Sequence, residues 1–216
     1  MSDNILYAAP VSPYSQRIIV QIAMKQLPIT RIDPPGGIGS DDFRAINPTG
    51  KIPALVFDGN VLPESAVIAE FLEDIYPHSP LRPADHWQRA QMNLIIRIAD
   101  AYVMDAMLPL FANLDPENRD EVVIAATLSA VDTGLDRLDT MLEPSPLAAG
   151  AEITLADLAL VPILQFAEVF VPAFGGNDPF AGRNTITTYW SNAQQEPVLA
   201  GCLEDMRIAI SAALGY

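Results

Sequence analysis

The chain is apolar from Ile5 to Ala8, and further on Ile18, Ile19, Ile22 and Ala23 recur at helical spacing. Pro13 can open that helix and Pro28 stops it. Residues 29–33 predict a second strand, parallel to the first, which makes a βαβ unit. "DPPGGIGSD" is a loop rich in turn residues, and "DDFRAINP" is a short helix ending before Pro48. "IPALVFDGNVLPES" predicts a β-hairpin: Ala54–Phe57, a turn at Asp58-Gly59-Asn60, then Val61–Leu62. A helix from Ser65 to Ile75 closes this half at Tyr76-Pro77.

Pro77, Pro80 and Pro83 mark "PHSPLRPADH" as a linker. Beyond it the pattern is helical throughout. Trp87–Phe111 is long and apolar on one face, and Glu117–Leu142 follows. Thr154–Val171 opens on a Thr-x-x-Asp sequence close to a capping box and should bend at Pro162. Thr187–Gln195 and Pro197–Leu214 complete the set, with no internal repeat. The expected architecture is an α/β thioredoxin-like domain of order βαβ-α-ββα over residues 1–78. A linker at 79–86 and an all-α domain over 87–216 follow it.

Composition narrows the chemistry. The 216 residues are half hydrophobic and carry one cysteine, Cys202, which excludes a disulfide framework or a Cys-based metal site. The two histidines, His78 and His86, make a His-rich metal site unexpected. The formal net charge of -15 argues against nucleic-acid and anionic-membrane partners. Residues 1–80 hold five basic and nine acidic side chains, whereas 81–216 hold seven and eighteen. An anionic ligand therefore fits the first segment better, where both lysines, Lys25 and Lys51, lie. "MSDNILYAAP" has no basic leader pattern, and no apolar run reaches a bilayer span, so a cytoplasmic protein is expected.

Several stretches carry a family resemblance. "NPTGKIPALVFDG" resembles an N-P-x-x-K-[IV]-P-x-L segment, "LPESAVIAEFLEDIYP" an E-S-x-x-I helix, and "GAEITLADLAL" a D-x-x-[IL]-A helix start. "SPYSQR", Ser12 to Arg17, matches the first turn of members with an active-site serine. Together they resemble the cytosolic glutathione transferases with a Ser-type active site, over nearly the whole chain. The resemblance implies a homodimeric detoxification enzyme that uses glutathione as co-substrate and adds it to a small apolar electrophile.

Ser12 has two readings. Locally, Ser12-Pro13 is a helix start, with Ser as N-cap and Pro at the first helical position. The resemblance adds that this hydroxyl donates to the sulfur of glutathione, at a helix N-terminus whose dipole favours an anion. A free thiol titrates near about 8.5; lowering that by ~2 units, worth ~2.7 kcal/mol, makes thiolate the main form. Serine at 12 also excludes the mixed disulfides that a cysteine there would form. Cys202 reads as a small buried hydrophobe and Tyr7 as packing.

The other site residues come from the resemblance as well. Ile52-Pro53 would be a cis bond that presents the backbone of Ile52 to the cysteinyl part of glutathione; in isolation it reads as a strand-edge proline. Glu64 would take the γ-glutamyl ammonium, and Ser65 with the helix N-terminus its carboxylate; in isolation the pair reads as a helix start. Lys51 would neutralise the glycine carboxylate, with Arg44 a weaker candidate. An electrophile pocket between the domains would draw on Ala9–Val11 and on Tyr102, Met104, Met107 and Phe111. Alternative chemistries are a zeta-like isomerase, an aryl-ether-cleaving β-etherase and a non-catalytic binding protein. The zeta first turn S-S-C-x-W-R is matched here only at Ser12 and Arg17.

Overall fold

The computed structural model describes residues 4–214, which divide into two compact units, one of residues 4–81 with 200–214 and one of Arg82–Leu199. The sequence pattern assigns 87–216 to one helical domain, whereas contacts group the last helical segment with the strand-bearing unit.

The first unit holds β1 (Asn4–Tyr7), α1 (Pro13–Met24), β2 (Ile29–Ile32), α2 (Asp41–Ile46), β3 (Ala54–Phe57), β4 (Asn60–Pro63) and α3 (Ser65–Ile75). The sheet order is β2-β1-β3-β4, with β1 parallel to β2, antiparallel to β3, and β3 antiparallel to β4. The hairpin turns on Asp58 and Gly59, both at positive φ, the geometry that favours an Asp-Gly pair. Ser40 caps α2 by accepting from the Phe43 amide at 3.1 Å, and Asp41 and Asp42 sit in its positive first turn.

Strand alternation then sorts the core. Ile5, Tyr7, Ala54 and Val56 share one face, where they meet Phe43 and Ile46 of α2. The Tyr7 and Phe43 ring centroids lie 5.5 Å apart, so Tyr7 is a packing residue. Leu6 and Leu55 have the opposite parity and are fully buried on the other face. There α3 packs against β3, β4 and α1.

The second unit is helical: α4 (His86–Ile98), α5 (Asp105–Phe111), α6 (Glu121–Met141), α7 (Leu155–Ala173) and α8 (Asn184–Ala193). The final helix, α9 (Pro197–Leu214), runs from this unit into the residues grouped with the first. The expected single helix over 87–111 is interrupted: residues Ala99–Met104 form a π-helical segment between α4 and α5. The helix expected from Glu117 starts at Glu121, after a 3₁₀ turn at Pro116–Asn118, where Asp120 accepts from the Val122 and Val123 amides.

α7 carries Pro162 and Pro172 within one continuous helix. It is long and apolar enough to span a membrane, yet 83% of its apolar window is buried in the structure, as befits a core helix. At its start Thr154 and Asp157 form a capping box, and Asp157 also accepts from the Ala148 amide at 2.8 Å. Burial pushes the Asp157 carboxyl above its ordinary range, against those hydrogen bonds. Arg183 joins α6 to the turn before α8 through Asp132 and Asp136, at 2.6 and 2.7 Å.

Candidate functional site

Strand register brings three distant segments to one end of the sheet. Tyr7, the last residue of β1, pairs with Ala54, the first of β3, and Ala54 pairs with Pro63, the last of β4. The loop from β1 to Ser12, the Ile52-Pro53 bond and the Glu64-Ser65 entry to α3 therefore leave the sheet at this same end. Two helix N-termini, of α1 and α3, begin there, each with its positive dipole end, and α3, which no side chain caps, also offers its first amides to an anion.

Ser12 is the N-cap of α1, with φ -84° and ψ 123°, followed by Pro13 at the first helical position. Its Oγ accepts from the Ser15 amide at 3.3 Å. A hydroxyl that accepts still has its own proton to donate. Ser12 is half-buried, so a ligand atom can reach it.

The peptide bond between Ile52 and Pro53 is cis. Among the described residues no hydrogen bond engages the Ile52 amide or carbonyl. The turn before it is fixed by Asn47, fully buried, whose Nδ2 donates to the Lys51 carbonyl at 2.8 Å. Asn47 Oδ1 also accepts from the Thr49 amide at 3.2 Å. Ile52 thus offers a donor and an acceptor, as a strand edge does, to an extended ligand. Lys51 is exposed beside it. Arg44 donates from Nε to the Gly39 carbonyl at 2.9 Å and packs over Gly50, where a Cβ would meet its Cζ at 3.0 Å.

Glu64 sits at φ 72° and ψ 107°, a left-handed conformation in a residue that is not glycine. It is exposed, and its side chain makes no cap bond to α3. Ser65 follows it as the buried first residue of α3.

Packing decides the place of the other residues that the sequence singles out. Lys25 is not a cation open to a ligand. Its Nζ lies 2.9 Å from Glu73 Oε1, with the two side chains 0% and 1% exposed. It also donates to the carbonyls of His78 and Ser79 at 2.8 and 3.2 Å. Glu73 accepts in addition from Gln21 and from the Leu81 amide. One signal was present in the sequence: Glu73 falls four residues after Ala69, on the apolar face of α3. Met104 and Met107 are core residues of the helical unit. Phe111 packs on Phe166 and Phe170 at 5.8 and 5.3 Å, so it too is taken by the core. Tyr102 is exposed, with the Arg137 guanidinium 4.7 Å over its ring. Cys202 is buried, and burial pushes its thiol up to about 12, which removes it as a nucleophile.

Comparison with known proteins gives the class. Residues 6–80 match the family described as Glutathione S-transferase, N-terminal domain, and residues 98–197 match Glutathione S-transferase, C-terminal domain. The chain is 31% identical to Glutathione S-transferase Z2 of Arabidopsis thaliana over 174 residues, 75% of each chain. It is 29% identical to the Maleylacetoacetate isomerase of Rattus norvegicus over 178 residues, 77% of this chain and 79% of the other. A 51% identity to Protein LigF of a Sphingobium strain spans 65 residues, only 29% of this chain and 25% of that protein. A glutathione S-transferase of Methylobacillus flagellatus, solved with GSH bound, superposes with a TM-score of 0.77 at 25% identity, over 93% of this chain and 98% of the other.

The chain belongs to the cytosolic glutathione S-transferase superfamily, enzymes whose co-substrate is glutathione. Its mixed four-stranded sheet followed by a helical unit is the fold expected from the sequence.

Proposed function

We propose that Ser12 donates a hydrogen bond to the sulfur of bound glutathione and holds it as a thiolate, which adds to a small apolar electrophile. The thiol proton passes to solvent, the sulfur electron pair forms a carbon–sulfur bond as the π bond of the electrophile opens, and the carbanion or enolate left behind takes a proton from solvent. The observation that carries this reading is the convergence of Ser12, Ile52-Pro53 and Glu64-Ser65 at one sheet end, beside two helix N-termini. Glu64 takes the γ-glutamyl ammonium, while Ser65 and the α3 amides take its carboxylate. The free amide and carbonyl of Ile52 pair with the cysteinyl unit, and Lys51 neutralises the glycine carboxylate. Residues 1–78 form the glutathione-binding domain and α4 to α8 the helical domain of a cytoplasmic homodimer, with the last helical segment grouped with the first unit.

The test is a titration of glutathione into the protein, with the ultraviolet absorbance of the thiolate followed against pH. Binding with a thiol pKa about two units below the free value supports thiolate activation. Absent binding, or an ordinary thiol pKa in the complex, overturns it.

A second reading is favoured by the relatives named maleylacetoacetate isomerase: glutathione adds to a cis double bond and leaves after rotation. Turnover of a cis-unsaturated dicarbonyl substrate separates the two. Isomerisation returns the glutathione, whereas conjugation consumes one equivalent per product.

A further inference from the structure

Ser15 belongs to the same turn as Ser12 and is fully buried. Its amide donates to Ser12 Oγ at 3.3 Å, but its own Oγ is withdrawn from solvent and has no hydrogen-bond partner among the described residues. An unpartnered hydroxyl inside a protein is costly, because its water is gone and nothing replaces it. A serine within a helix ordinarily turns its hydroxyl to a preceding carbonyl, and this one does not. A side chain three residues after the N-cap lies on the N-cap's face, and Cβ atoms of an α-helix tilt toward its N-terminus. The Ser15 side chain therefore leaves the helix toward the end of α1 that carries Ser12.

We propose that Ser15 is a positioning residue that acts through Ser12. This inference rests on the reading of Ser12 as donor to the glutathione sulfur. When Ser12 turns its proton toward the sulfur, its oxygen presents lone pairs to the turn behind it. The Ser15 amide already fills one of them, and rotation about χ1 lets the Ser15 hydroxyl fill the other. The chain Ser15 O–H to Ser12 O–H to sulfur is cooperative, since each donor polarises the next, so Ser12 becomes a stronger donor to an anion. Ser15 thereby gains in the thiolate complex the partner it lacks in the free protein.

This makes two effects of Ser15→Ala opposite in sign. Removing a buried, unpartnered hydroxyl leaves the melting temperature of the free protein unchanged or raised. In the glutathione complex the same change raises the thiol pKa by about half a unit to one unit, the size of one hydrogen bond. The neighbouring charges of Arg17, Lys51 and Glu64 are present in both proteins and cancel in the difference. The experiment measures melting temperature and bound-thiol pKa for wild type, Ser12→Ala, Ser15→Ala and the double variant. The expected result is a raised pKa for Ser15→Ala that vanishes when Ser12 is already alanine. A Ser15→Ala pKa equal to wild type overturns the inference, as does a shift of equal size without Ser12, or a loss of stability with no change of pKa. If wild-type protein itself does not depress the thiol pKa, the reading of Ser12 fails first, and is seen to fail separately.

Discussion

Gly134 of α6 lies so close to the π-helical segment that a Cβ at this position would come within 1.8 Å of the Tyr102 carbonyl oxygen and 3.3 Å of the Val103 amide. Both neighbours are backbone, so neither can rotate away. Gly134→Ala should cost about 3 kcal/mol, a fall in melting temperature of about 6–12 °C. An alanine variant that melts with the wild type would show that the two segments separate without penalty.

Glu64 carries the opposite expectation for stability and for binding. Its left-handed backbone costs about 1–3 kcal/mol in a residue with a Cβ, and glycine adopts it freely. Glu64→Gly should stabilise the fold by about 1 kcal/mol, yet weaken glutathione binding tenfold or more through loss of a charged hydrogen bond. Calorimetric affinity and thermal melting of one variant read both. Retained affinity would remove Glu64 from the site.

The Lys25–Glu73 pair should be intolerant of single changes. Lys25→Met leaves the Glu73 carboxylate buried without its cation and should cost about 3–5 kcal/mol. Adding Glu73→Leu should recover part of that loss by removing the stranded charge. Denaturant unfolding of the three variants checks the order; a double variant less stable than Lys25→Met would contradict it.

Cys202 provides the pH dependence. The native state holds the thiol proton more tightly than the unfolded chain, because burial raises its pKa from 9.0 to about 12. The folded form therefore binds more protons between those values, and its stability falls as pH rises from about 9 toward 12. Cys202→Ala should flatten that decline. In native protein at neutral pH, iodoacetamide should leave Cys202 unmodified and react once the chain is unfolded; rapid native labelling would place the thiol in contact with solvent.

How much was legible in the sequence depends on the range of the interaction. Ser12-Pro13, Asp58-Gly59 and Thr154-x-x-Asp157 are local signals, and each stands where the sequence put it: a cap, a hairpin turn, a capping box. The sheet-end convergence was readable only through the family resemblance, since no periodicity states that Pro53 and Glu64 flank one register row. The Lys25–Glu73 pair was not legible because the two residues lie far apart along the chain and a lone lysine looks solvated. The π segment escaped because Ala99–Met104 keeps a pattern that an α-helix would also show, and the two differ in backbone hydrogen bonding, which residue types do not state. Met104 and Met107 fell to the core for the ordinary reason that apolar residues at helical spacing are buried first.

The grouping of residues 200–214 with the strand-bearing unit bears on how the protein is made. Gln16 donates to the carbonyl of Cys202 at 3.5 Å, so α1 finds one of its partners 186 residues further along the chain. A growing chain cannot make this contact until the intervening unit, Arg82–Leu199, has been synthesised. Until then the patch of α1 around Gln16 stays open to whatever holds a growing chain.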